Sequence, residues 1–167
     1  MLAALGAPHD PALDPRLREA VRAIALAWAR RAASPGLAFE ADADPAGPLA
    51  GHDGPVLLVA PDVPRLGEDL VAAALADLAA GCALSFAPAN DSNPYLLAFP
   101  APRPELLALI TAPDRRRDVI FAEATRLGEV GMLRSERRVV TPADARALAL
   151  DPLVPAELRA LAAAVEY

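Results

Sequence analysis

An apolar run from Val56 to Ala60 stands between Gly54-Pro55 and Pro61-Asp62-Val63-Pro64, and an amphipathic stretch opens at Gly67. No other feature limits the fold as tightly. A run this short, apolar at every position and fenced by turn residues, is the pattern of a strand covered on both faces. A strand leading into a helix implies an α/β domain, with Asp62 just past the carboxyl end of the strand. Open α/β sheets gather their ligand chemistry there. Pro-Asp-Val-Pro is also ordinary strand-terminating punctuation, so Asp62 is either a ligand or a turn residue.

The rest of the chain alternates. Residues 15–33 place Leu17, Val21, Ile24 and Trp28 at helical spacing, and Ser34-Pro35-Gly36 stops that helix. A short strand is expected at 37–41, then an aperiodic Asp/Pro/Gly loop at 42–54. The helix at 67–80 should bury Leu70, Val71, Ala74, Leu75 and Leu78 and end at Gly81. Strands follow at 83–87 and 95–99, joined by "PANDSN", then helices near 103–111 and 114–127, with weak strands in "EVGML" and "RRVV". Thr141-Pro142-Ala143-Asp144 reads as a capped helix start, and a last helix from Pro155 should bury Leu158, Leu161, Ala162 and Val165. Together these elements predict one domain over 1–167, a three-layer α/β/α arrangement with a mostly parallel sheet and 56–60 as a central parallel strand.

Charge and residue usage narrow the function. A net charge of −6 offers no counterion release from phosphate backbones, so nucleic-acid binding is not expected despite Arg115-Arg116-Arg117 and Arg137-Arg138. Among 167 residues there is no lysine, which removes a Walker-type phosphate lysine and Schiff-base chemistry. The single cysteine, Cys82, has no partner for an internal disulfide and reads as a small core residue. The amino-terminal residues lack a signal-peptide pattern and no apolar run spans a bilayer, so a cytoplasmic protein without membrane partners is expected. His9-Asp10 and His52-Asp53 lack the spacing of a metal ligand set.

Three stretches in order, "VLLVAPDVPRLGEDLVAAAL", "APANDSNPYLLAF" and "VVTPADARAL", resemble bacterial GT-A-type glycosyltransferase-like proteins, relatives of nucleotide-diphospho-sugar transferases and small nucleotidyltransferases. In that family the stretches run G-S-D-x-P-x-L, A-x-D-G-G-Y-x-L-I-G-L and D-V-D-T-P-E-D-L. The resemblance implies a nucleotide or nucleotide sugar as ligand and Mg²⁺ or Mn²⁺ as cofactor, with Asp62 at the metal-ligand position. It puts Asp91 in the acceptor-side loop, where a carboxylate binds a hydroxyl or acts as base. Read without the resemblance, Asp91 is an Asx-turn residue.

The departures are as informative. Where the family has D-V-D-T this chain has Arg138-Val139-Val140-Thr141, and Val140 cannot ligate a metal. Asp91-Ser92-Asn93-Pro94 replaces Asp-Gly-Gly-Tyr, losing the glycines that admit a sugar. Relatives begin with a strand and a basic glycine loop, and neither precedes the 15–33 helix here. Two alternatives follow. One is a degenerate domain kept for binding or assembly; the other is an active transferase gripping phosphates with Arg65, Arg137 and Arg138. Without the first strand, residues 37–41 and 56–60 must pair directly or leave an edge that a homodimer would cover.

Overall fold

A computed structural model describes residues 9–33, 46–91, 93–105 and 117–165. The expected strand at 37–41, most of the helix at 103–111 and the first residues of the one at 114–127 lie outside these ranges. The described strands are β1 (Val56–Val59), β2 (Leu84–Pro88), β3 (Pro94–Phe99) and β4 (Val130–Met132), in the order β1-β3-β2-β4.

The sheet is mixed, which corrects the expectation of a mostly parallel one. β3 pairs antiparallel with both β1 and β2, and only β2 and β4 are parallel neighbours. β1 is therefore not a central parallel strand: it stands at one end of the described sheet, with Val56 opposite Phe99 and Leu58 opposite Leu97. The reason is chain length. Residues 89–93 can turn a hairpin but cannot make the dozen-residue crossover that a parallel neighbour requires. β3 thus folds straight back beside β2 and fills the gap that the β1–helix–β2 crossover leaves. The apolar run of β1 holds as expected, with Val56, Leu58, Val59 and Ala60 buried and Leu57 half-buried.

Every residue of β2 and β3 is buried. Because successive strand side chains alternate faces, that pattern requires cover on both sides of the sheet. Each fully buried Leu or Phe there contributes roughly 1.5–3 kcal/mol.

The first helix, α1 (Pro15–Ala32), starts where Asp14 accepts a 2.6 Å hydrogen bond from the Arg16 amide, with Pro15 at its first position. Its buried stripe is Leu17, Val21, Ala25, Trp28 and Ala29. Within the predicted aperiodic loop, Ala46–Leu49 forms a single helical turn, α2, with Leu49 buried. α3 (Asp69–Ala79) buries Leu70 and Ala74, half-buries Val71 and Leu78, and leaves Leu75 exposed, a narrower stripe than expected. α4 (Arg117–Leu127) buries Ile120 and Ala124 ahead of β4.

"RRVV" forms no strand. Residues 133–140 instead run on from β4, keeping only an Ala89–Glu136 bridge beside β2. α5 (Pro142–Leu150) opens with the full capping box of Thr141 and Asp144. α6 (Ala156–Ala163) buries Leu158 and Ala162, with Leu161 and Val165 half-buried.

The core has two parts. The larger lies around the sheet and takes in Ala25, Trp28 and Ala29 of α1 with residues of α3 and α4. The smaller joins Leu13, Leu17 and Val21 to Val139, α5 and α6. No helix among the described residues is long and apolar enough to cross a membrane.

Candidate functional site

β1, β2 and β4 run in one direction, since β1 and β2 are both antiparallel to β3 and β4 is parallel to β2. Their carboxyl ends share one edge of the sheet. Three connections meet there: residues 60–68 after β1, the 89–93 turn after β2, and 133–140 after β4.

Asp62 and Arg138 form the centre, their side chains 0% and 1% exposed. Nη1 of Arg138 donates to both Asp62 carboxylate oxygens, at 3.1 and 2.9 Å, and Nη2 donates to the Pro94 carbonyl. Nε of Arg138 lies 3.6 Å from the Asp91 carboxylate. The backbone repeats the junction: the Val139 amide donates to the Asp62 carbonyl at 2.8 Å and the Arg138 amide to Asn90 Oδ1 at 3.3 Å. A planar guanidinium suits such a seat, because it spreads one charge over several donors and is less strongly hydrated than an ammonium.

The other predicted residues are close by but differently occupied. Asp91 accepts from the Asn93 amide at 3.0 Å, the Asx turn that the sequence alone also allowed, and faces Arg138 as well. Arg65, one-third exposed, bridges Glu136 and Asp151 with Nη1 at 3.8 Å from each. Arg137, about half exposed, points to Asp144 across 3.7 Å. Structure thus brings Asp62, Asp91 and Arg138 together, while Arg65 and Arg137 stand in separate ion pairs.

Three participants, Glu136, Arg134 and Tyr95, were not singled out from the sequence. Glu136, its side chain 7% exposed, takes 2.9 Å contact from Arg134 Nε, and Arg134 Nη1 reaches Asp69 at 2.6 Å. The signal was available, since Arg134, Glu136 and Arg138 alternate in sign at every second residue. Beneath them the buried Tyr95 hydroxyl donates to the Arg134 carbonyl at 3.0 Å, and burial, with Glu136 nearby, pushes its phenol far above the usual range. His9 completes the edge. Burial lowers its pKa, Asp62 pulls the other way, and Arg18 and Arg138 add to the lowering.

Summed over the groups that meet here, five carboxylates (Asp62, Asp69, Asp91, Glu136, Asp151) face three guanidiniums (Arg65, Arg134, Arg138). The excess is two negative charges. Among the described residues no group of three or more His, Cys, Asp and Glu side chains is arranged to hold a metal ion. His52 is exposed, its Nε2 3.3 Å from the Pro55 carbonyl, and Cys82 is half-buried between α3 and β2.

No protein-family model and no curated protein matches the chain. A solved structure does: a protein from Desulfovibrio desulfuricans G20, provisionally assigned as a nucleotide-diphospho-sugar transferase, is 26% identical with a TM-score of 0.51. The match covers 67% of this chain and 51% of that one, so the chain spans about half the length of its neighbour. A distant relationship to nucleotide-diphospho-sugar transferases, and a mixed α/β fold akin to theirs, is thereby supported.

Proposed function

We propose that this chain is a glycosyltransferase-like domain of the three-layer GT-A type whose metal-dependent transfer has been given up, and that it serves in binding or assembly. The observation that carries this is the buried Asp62–Arg138 pair. Mg²⁺ is held by one or two carboxylates plus phosphate and water oxygens in near-octahedral array. At Asp62 the carboxylate already faces a cation 2.9 Å away that belongs to the chain, and Val140 offers no ligand. A divalent ion would have to displace Arg138 into solvent, so the residues do not fit a Mg²⁺ or Mn²⁺ site. Without a metal, the excess carboxylates of this edge repel a diphosphate.

Calorimetry with nucleoside triphosphates and sugar nucleotides, in Mg²⁺ or Mn²⁺, tests the proposal. The expected affinity is millimolar or weaker, no stronger than about −4 kcal/mol. A metal-dependent micromolar affinity that vanishes in Asp62→Asn would instead support an active transferase, with Arg65 and Arg137 as the phosphate-holding groups.

A further inference from the structure

We infer that residues 134–138 are a strap closing the carboxyl edge of the sheet, sewn down by an antiparallel ion-pair zipper that opens from its β4 end as ionic strength rises. Arg134, Glu136 and Arg138, spaced two apart in the segment that follows β4, each carry a charged group to this edge. Opposite them, in reverse order, stand Asp69, Arg65 and Asp62: Arg134 meets Asp69 at 2.6 Å, Glu136 meets Arg65 at 3.8 Å while also accepting Arg134 Nε at 2.9 Å, and Arg138 meets Asp62 at 2.9 Å. The charges alternate along both sides, and shifting one side by a single tooth would set like charges together.

The teeth differ in exposure in a graded way. Side-chain exposures of the paired groups are 40% and 66% at Arg134–Asp69, 33% and 7% at Arg65–Glu136, and 1% and 0% at Arg138–Asp62. Exposed pairs are weak and screened by salt, whereas a buried pair is screened far less. Main-chain ties flank the middle tooth: the Leu133 amide donates to the Phe86 carbonyl and the Val139 amide to the Asp62 carbonyl, both at 2.8 Å, and between them the Glu136 amide reaches the Pro88 carbonyl at 3.3 Å. Salt therefore loosens the outer teeth and leaves the Arg138 tooth as the hinge. Opening releases the Tyr95 hydroxyl from the Arg134 carbonyl and uncovers the edge above it. This holds whether or not the edge binds nucleotides.

Amide hydrogen exchange on the full chain, resolved by residue, is the test. Raising NaCl from about 0.05 M to about 1 M shortens the Debye length to about 3 Å. The Glu136 and Asn90 amides, which tie the strap to the end of β2, should then exchange roughly threefold to tenfold faster relative to Leu97 in β3, a size set by two or three exposed pairs. The Val139 amide should not change. Glu136→Gln should raise exchange at Asn90 in low salt and flatten the salt response; Asp69→Asn, at the solvent-facing tooth, does the same should Glu136→Gln fail to fold. Arg126→Gln, which breaks an unrelated pair on α4, should leave every one of these rates alone. An Asn90 rate indifferent to salt, or a Val139 rate rising by the same factor, overturns the zipper.

Discussion

Replacing Arg138 by methionine leaves Asp62 buried without the guanidinium that both its oxygens accept from, at 2.9 and 3.1 Å. Two unit charges about 4 Å apart attract by about 4 kcal/mol at an effective dielectric of about 20, and breaking one partner of a buried pair costs about 3–5 kcal/mol. Asp62→Leu strands the guanidinium beside the Pro94 carbonyl and Asp91, with a loss of similar size. The double variant strands neither charge. What remains is an unsatisfied Pro94 carbonyl, costing about 1–3 kcal/mol, so the double variant should be more stable than either single one. Urea unfolding followed by Trp28 fluorescence reads this directly. With a slope near 2 kcal/mol per molar, each single variant should lower the midpoint by roughly 1.5–2.5 M and the double by roughly 0.5–1.5 M. Additive losses within about 0.5 kcal/mol would show that the two groups do not depend on each other, and the account of the site would fail.

Further outcomes are expected elsewhere in the chain. Thr141→Ala removes the acceptor for the Asp144 amide at 3.2 Å and should cost about 1 kcal/mol by urea midpoint. Trp28→Phe loses the Nε1 donation to the Gly67 carbonyl at 3.1 Å and part of a buried ring, which should lower stability by about 2 kcal/mol when followed by circular dichroism. A Cβ at Gly131 would overlap Asp77 Oδ2, the oxygen that accepts from Ser85 at 2.6 Å. Gly131→Ala should therefore destabilise the α3–β4 contact, and less so in an Asp77→Ala background. For His9 the folded pKa lies below the unfolded 6.5, so the unfolded chain binds the proton more readily. Its contribution is full above pH 6.5 and declines as pH falls through that value; His9→Gln should abolish that part of the acid-side slope in a series of unfolding midpoints.

Local rules made much of this legible. The β1 run, the α1 stripe with Trp28 and the Thr141 capping box each depend on neighbours in sequence, and the structure carries them as read. Strand direction was legible too, because residues 89–93 are too few for a crossover, but alternation of elements outweighed connection length in the prediction. Asp62 and Asp91 were read in the loops that follow the strands now seen as β1 and β2, but Arg138 was read within a weak strand, so its convergence with them was not legible. That Arg138 would be buried against Asp62 did not follow, since an arginine in a basic pair such as Arg137-Arg138 looks solvated until its partner, 76 residues away, is brought beside it. α2 was invisible for a similar reason: a turn held by the burial of Leu49 has no periodicity to detect.

The helix α1 belongs to both halves of the core, Leu17 and Val21 to one and Ala25, Trp28 and Ala29 to the other. A rigid rod shared in this way makes the two packing units mechanically one, because loss of the helix withdraws apolar cover from both. The chain should therefore melt in a single transition despite its two cores, and a fragment starting after Ala32 would inherit two open wounds rather than one intact unit.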